Sequence, residues 1–304
     1  MFVWSVLELD KKEKKHQRNY RLWFQAAWTA ITNGYAAGFL KGRIFTGTSK
    51  AICVPGLNCY SCPGALGACP IGALQAVLGS RGFKVSSYVF GILMVFGAVF
   101  GRFICGWMCP FGLVQDLLYK IPIFRKQKNM PKDALLRKLK YIILLLFVIL
   151  LPSLAVNVVG QGDPWFCKYI CPSGTLLAGI PLISTNPLLR SAVGFLFSWK
   201  MLALLIILFL SVKYYRPFCK YLCPLGAVYG AFHPIAFYRL KIDEGKCVGC
   251  GACVRTCPMG VDVINHPNSM ECIRCGECMK ACPTNAIQST MSELRKKSPE
   301  SVSK

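Results

Sequence analysis

Carboxylates are scarce in this chain: 13 Asp and Glu stand against 36 Lys and Arg, a formal charge of +23. Such an excess could serve nucleic acid, which usually leaves a basic stripe on one folded face. Here the basic residues fall in short runs beside apolar segments, where they set orientation across a bilayer. Nucleic acid is therefore excluded as a partner, and membrane lipid is expected. Histidine is as scarce: His16 sits in a basic run, His233 precedes a proline and His266 lies between cysteine motifs. Each suits a solvated or packing role. There is no Gly-rich nucleotide fingerprint, no recognisable catalytic nucleophile and no secretory leader pattern, so no catalytic residue is assigned. What the chain does have is 18 cysteines and 54% hydrophobic residues. Secreted disulfide scaffolds are small and poor in long apolar runs, so metal ligation is the expectation for the cysteines.

Four stretches approach the roughly 20 apolar residues of a spanning helix: Leu22–Leu40, Val85–Ile104, Tyr141–Val159 and Val193–Val212. The first is diluted by Gln25, Thr32, Asn33 and Gly34, and the fourth contains Lys200. Six Lys and Arg precede the first stretch and eight lie from Lys120 to Lys140, whereas the alternate loops hold five and two. This asymmetry predicts both termini, and everything from about Phe237 onward, on the cytoplasmic side of the plasma or inner membrane. Four shorter apolar pieces, Ile71–Gly79, Phe111–Ile121, Ser173–Ser184 and Leu225–Phe237, suit re-entrant or interfacial helices. Each follows a common pattern: Cys69-Pro-Ile-Gly72, Cys109-Pro-Phe-Gly112, Cys171-Pro-Ser-Gly174 and Cys223-Pro-Leu-Gly226. The recurrence is an internal repeat whose halves each hold two spans, and so share one orientation about a pseudo-twofold along the membrane normal.

Cysteine spacing is most specific near the C-terminus. Cys247-x2-Cys250-x2-Cys253-x3-Cys257-Pro and Cys272-x2-Cys275-x2-Cys278-x3-Cys282-Pro have the spacing of a two-cluster bacterial ferredoxin, in which the fourth cysteine of each run serves the other cluster. One [4Fe–4S] cluster is thus expected on Cys247, Cys250, Cys253 and Cys282, and a second on Cys272, Cys275, Cys278 and Cys257. Paired zinc sites are the rival reading, since Cys-x2-Cys also suits tetrahedral zinc.

Three pairs further upstream have the spacing Cys-x3-Cys-Pro: 105/109, 167/171 and 219/223. Proline fits the first helical position, which puts the preceding thiolate where free backbone N–H groups favour negative charge. A span of about 20 residues, roughly 30 Å, should separate the Cys69 corner from the Cys109 corner. The repeat therefore pairs Cys105 and Cys109 with Cys219 and Cys223 in an inner cluster, and Cys62 and Cys69 with Cys167 and Cys171 in an outer one. Cys53 and Cys59 are left over as disulfide candidates. A set of Cys53, Cys59, Cys62 and Cys69 remains open, as does packing as small apolar residues. Arg102 and Lys200 either face an anionic cluster or snorkel, and Asp116 and Asp163 are candidates for proton transfer at a quinone pocket.

The stretch CPMGVDVINHPNSMECIRCGECMKACPTNAI and the repeated Cys-x3-Cys-Pro units resemble the NapH-type membrane-bound polyferredoxins and the C-terminal parts of NosR-like proteins, from about Leu22 to Gln288. The resemblance implies four transmembrane helices, cytoplasmic ferredoxin clusters and electron transfer between a quinol pool and a redox partner protein. CVPGLNCYSCPGALGACPIG is additional to the simplest members, which usually show two Cys-x3-Cys-Pro motifs. The expected fold is an integral membrane, mainly α protein with four transmembrane helices and short re-entrant Cys-Pro helices in two parallel repeats, followed by a C-terminal α+β ferredoxin domain. Its expected parts are a basic N-terminus (1–21), two membrane repeats (22–124 and 141–237) around a basic loop (125–140), the ferredoxin domain (238–290) and a polar tail (291–304). A redox-sensing or cofactor-assembly protein, or the anchor of a reductase complex, is the alternative function.

Overall fold

A computed structural model describes residues 20–80, 87–155, 161–191 and 193–292. Most of the basic N-terminus with His16, the ends of two expected spans at Val85 and Val159, and most of the polar tail lie outside the described residues.

The stretch expected as one span at Leu22–Leu40 is two helices, 20–32 and Ala36–Lys41. Asn33 turns its side chain back to the Thr29 carbonyl (3.0 Å), a local bond that competes with helix continuation, and Gly34 follows without a side chain to pack. Ser87–Phe100 stops at Gly101, whose φ of +53° is the left-handed conformation that favours glycine. The chain then restarts as Phe103–Trp107, so the expected span to Ile104 is cut short. A third long helix runs over 133–154 and opens to π geometry at Leu144–Leu150. Pro152 explains the opening, because it lacks the N–H that an α-helix would direct at Val148. The same device recurs in the 172–185 helix, with π geometry at Thr175–Gly179 ahead of Pro181.

Among the described residues, Phe195–Lys213 is the one helix both long and apolar enough to cross a bilayer, with a mean hydropathy of 2.3 and 17% of its window buried. A helix from a soluble core would be mostly covered. Leu202, Leu205, Ile206 and Phe209 on this helix are exposed, as are Met94 and Val95 on Ser87–Phe100 and Leu145, Leu146 and Ile149 on the third helix.

Each Cys-Pro pattern opens a helix with proline in its first turn and the cysteine at the N-cap in extended conformation: Pro70–Leu78, Pro110–Lys120, 172–185 and Pro224–Phe232. Packing between the halves is reciprocal. Pro110–Lys120 lies on Phe195–Lys213 while Pro224–Phe232 lies on Ser87–Phe100; Pro70–Leu78 lies on 144–150 while Ile180–Thr185 lies on Ala36–Lys41. Every Cys-Pro helix thus packs on a long or leading helix of the opposite half, which brings cysteines of different halves together.

The C-terminal unit pairs strand Leu240–Ile242 antiparallel with Ile287–Ser289, in the register Leu240↔Ser289 and Ile242↔Ile287, and packs helix Ala252–Thr256 on Glu277–Ala281. It is held to the helical part by buried polar groups. Arg274 donates to the carbonyls of Phe100 and His233, both at 3.0 Å. Glu271 accepts from Arg102 (2.8 Å) and Lys140 (2.5 Å). Its carboxyl lies below the ordinary glutamate range: burial alone would raise it, but the two cations outweigh burial.

Candidate metal centres

In the C-terminal unit, one pocket is lined by Cys247, Cys250, Cys253 and Cys282, and another by Cys257, Cys272, Cys275 and Cys278. The fourth cysteine of each run therefore stands beside the other run. The two loops share a backbone demand, since Gly249 (φ +64°) and Arg274 (φ +51°) each precede a second cysteine in left-handed conformation. Peptide N–H groups point at the sulfurs: Val261 at Cys257 (3.4 Å), Ala286 at Cys282 (3.3 Å) and Arg274 at Cys272 (3.4 Å). The Cys282 thiol lies below its ordinary range, because slight burial is outweighed by hydrogen bonds from Thr284 and the Ala286 N–H.

At the inner corner, Cys105, Cys109, Cys219 and Cys223 are all buried and are mutual electrostatic neighbours. Two fully buried arginines frame them with twofold reciprocity. Arg102 from the first half donates to the Cys219 carbonyl (3.1 Å), and Arg216 from the second half donates to the Cys105 carbonyl. Each approach passes over the glycine of a Cys-Pro-x-Gly pattern: a Cβ on Gly226 would stand 3.3 Å from the Arg102 guanidinium, and one on Gly112 3.2 Å from that of Arg216. Arg102 therefore faces the thiol group rather than snorkelling. Asp116 is ion-paired with Arg216 and Arg21, and Asp163 with Lys168.

The outer corner brings in a thiol beyond the expected four. Cys69, Cys167 and Cys171 are neighbours of Cys59, whose Sγ lies 3.6 Å from where a Cβ on Gly174 would stand, and Cys62 in turn neighbours Cys59. The Cys62-Pro63-Gly64 turn is pressed against the leading helices, where Gly38 leaves room for the Pro63 carbonyl and Phe39 covers Gly64, and Cys62 there meets Asn33 (3.6 Å). Cys53, buried, and Cys59, half-buried, are both free thiols in the structure. Cys53 is buried at the bridge to Ala68, and Cys59 neighbours Cys171 as well as Cys62 and Cys69. Lys200 reaches the Cys167 carbonyl at 3.1 Å and so also faces the thiols.

The region between the Cys69 and Cys109 corners, expected to hold a span, is also packed by the 53–69 loop, which folds back into the protein. A Cβ on Gly56 would lie 2.8 Å from the Met108 carbonyl, and the fully buried Tyr229, bonded to the Pro55 carbonyl at 3.0 Å, neighbours Cys69 as well as Cys105 and Cys109. Sequence reasoning also passed over Gln75 and Gln115, whose amides donate to the sulfurs of Cys167 (3.2 Å) and Cys219 (3.0 Å). The shared pattern Cys-Pro-x-Gly-x-x-Gln was the available signal.

Among the described residues, no three His, Cys, Asp or Glu side chains converge on a point as one metal ion requires. Four thiols around a wider pocket, with N–H groups aimed at sulfur, are instead the donor set of a thiolate-ligated cluster. These features define the class: an iron–sulfur electron-transfer protein that binds several [4Fe–4S] clusters.

The family described as "4Fe-4S binding domain" matches residues 67–88, 85–131, 141–185 and 195–240, about half of the chain. That described as "4Fe-4S dicluster domain" matches 239–283. An uncharacterized protein of Methanocaldococcus jannaschii is 31% identical over 59% of this chain and 61% of its own length. The methylamine utilization ferredoxin-type protein MauN of Methylobacillus flagellatus is 28% identical over 62% and 60%, and the ferredoxin-type protein NapH of Haemophilus influenzae 29% over 55% and 51%. The chain thus spans half to three fifths of the length of these relatives. No solved structure matches. The chain belongs to this family, the NapH-type 4Fe–4S polyferredoxins.

Proposed function

We propose that this chain is a membrane-embedded electron conductor between a quinone pool or an external donor and a cytoplasmic redox partner, with four [4Fe–4S] clusters, each supplying one-electron transfer. Cys247, Cys250, Cys253 and Cys282 would hold the outermost head cluster, and Cys272, Cys275, Cys278 and Cys257 the one nearer the membrane part. Cys105, Cys109, Cys219 and Cys223 would hold the inner membrane cluster, and Cys59, Cys69, Cys167 and Cys171 the outer one.

One contact carries this reading. Gly106, next to Cys105, lies so close to the Ile273 carbonyl that a Cβ would stand 2.5 Å from it, and Trp107 donates to the Arg274 carbonyl at 3.2 Å. The loop of Cys272 and Cys275 is thereby seated on the helix of Cys105, and Tyr229 with the 53–69 loop continues the packing to the outer thiols. The exposed apolar faces of three long helices support a bilayer setting, since soluble proteins rarely leave so large an apolar surface uncovered. The basic residues before the first helix and around 120–140 favour a cytoplasmic head.

Anaerobic purification with iron, sulfide and zinc analysis tests the cluster count. About sixteen irons per chain are expected; about eight would confine the clusters to the head, and stoichiometric zinc with little iron would overturn the reading. Reporter fusions at Lys128 and after Gln288 should behave as cytoplasmic and those at Gly79 and Ser184 as external. The reverse pattern would place the redox partner on the other side.

A further inference from the structure

Gln75 and Gln115 hold equivalent places in the two first-half Cys-Pro helices, in Cys69-Pro-Ile-Gly-Ala-Leu-Gln75 and Cys109-Pro-Phe-Gly-Leu-Val-Gln115. The second-half helices have Leu177 and Tyr229 at this place. Both glutamines are fully buried, and both make the same three bonds, two of them across the interface between halves. Oε1 accepts the peptide N–H of Phe166 (3.0 Å) or Phe218 (3.2 Å), the residue before the partner cysteine. Nε2 donates to its own helix at Ile71 (3.2 Å) or Phe111 (3.5 Å), and to Sγ of Cys167 (3.2 Å) or Cys219 (3.0 Å).

The orientation of each amide is fixed by its neighbours. Only Oε1 can accept from a peptide N–H, so the NH2 end must face sulfur. A donor held on a cluster thiolate in a dry interior stabilises the more electron-rich, reduced state more than the oxidised one, and hydrogen bonds to sulfur are among the terms that set cluster potentials. Because each centre has one such glutamine, always from the first half and always on the first cysteine of a second-half pair, the two are independent controls. We propose that Gln75 and Gln115 are positioning residues that raise the reduction potentials of the outer and inner membrane clusters respectively. This rests on the ligand sets given under Proposed function.

The test is a redox titration followed by EPR on the full chain, purified anaerobically in detergent. Cys167→Ser and Cys219→Ser first assign the outer and inner signals by their loss. Gln115→Met, close in volume and without a donor, should keep its iron and weaken reduction of the inner centre about tenfold, about 59 mV for a one-electron couple, with the outer centre unmoved. Gln75→Met should do the converse. Gln115→Glu, which keeps an acceptor for the Phe218 N–H but sets an oxygen against sulfur, should lower the inner potential below that of the Met variant. Potentials unchanged from wild type in iron-replete Met and Glu variants, or a shift in the opposite centre, would overturn the proposal. If the Met variant loses iron, the Glu variant decides on the same criterion. Failure of the ligand sets is read separately, as retention of both signals in Cys167→Ser and Cys219→Ser.

Discussion

Replacing Cys59 by serine should abolish the outer membrane cluster, about four irons per chain, whereas Cys62→Ser should leave iron content and the outer signal intact. The two residues are three apart in one loop, and a reading of the motif alone favours Cys62, because Cys62 is followed by proline as the second cysteines of the other corners are. In the folded loop they stay neighbours but meet different partners. Cys59 neighbours Cys69, Cys167 and Cys171, while Cys62 is turned toward Asn33 by the packing of Pro63 and Gly64 on Gly38 and Phe39. The cross-half pairing makes a second demand on the same preparation. Cys109→Ser and Cys223→Ser should each remove the inner signal and spare the outer one, while Cys171→Ser should remove the signal lost in Cys59→Ser. Iron analysis and EPR check both. Loss of the outer signal in Cys62→Ser with retention in Cys59→Ser would return the assignment to the motif, and loss of one common signal in Cys109→Ser and Cys171→Ser would break the pairing between halves.

The parts legible in the sequence are those set by short-range spacing. The two head pockets gather cysteines whose intervals already show a two-cluster ferredoxin, and the four Cys-Pro helices begin where proline can occupy the first turn. Tertiary routing was not legible. Nothing in the residues 53–69 announces that the loop folds back to touch Met108, since that path depends on Gly56 meeting a backbone about fifty residues later. The break at Asn33 and Gly34 was visible as dilution of an apolar run, but hydropathy does not distinguish a weak span from two helices. The π segments ahead of Pro152 and Pro181 were hidden for a different reason: the helix absorbs each proline by opening rather than stopping, and the apolar pattern is unchanged. Arg102 and Lys200 illustrate the limit on charge. Their presence among apolar residues marked them as functional candidates, but only the fold brings Arg102 across the halves to the Cys219 carbonyl and Lys200, within its own half, to the Cys167 carbonyl.

Glu271→Gln should uncouple the head from the membrane part without emptying it. Glu271 is the single carboxylate shared by Arg102 and Lys140, whose side chains are fully buried, and the same Arg102 bonds the Cys219 carbonyl at the inner corner. Removing its charge leaves two buried cations without their shared counter-charge, a loss of about 3 kcal/mol for the docked state at the low end for broken buried pairs. The head's own cysteines, Cys247 to Cys282, are all local to it, so its irons should remain. Hydrogen exchange should rise across 270–275 and on the 103–107 helix, where Gly106 and Trp107 touch the head. Reduction of the inner cluster by a donor that reaches the head should slow in parallel, while reduction of the head itself should not. Arg102→Lys, which keeps the charge but not the fork that spans Glu271 and Cys219, should show a smaller loss of the same kind. Wild-type exchange protection together with an unchanged inner-cluster rate in Glu271→Gln would show that docking rests on Arg274 and the Gly106 contact instead.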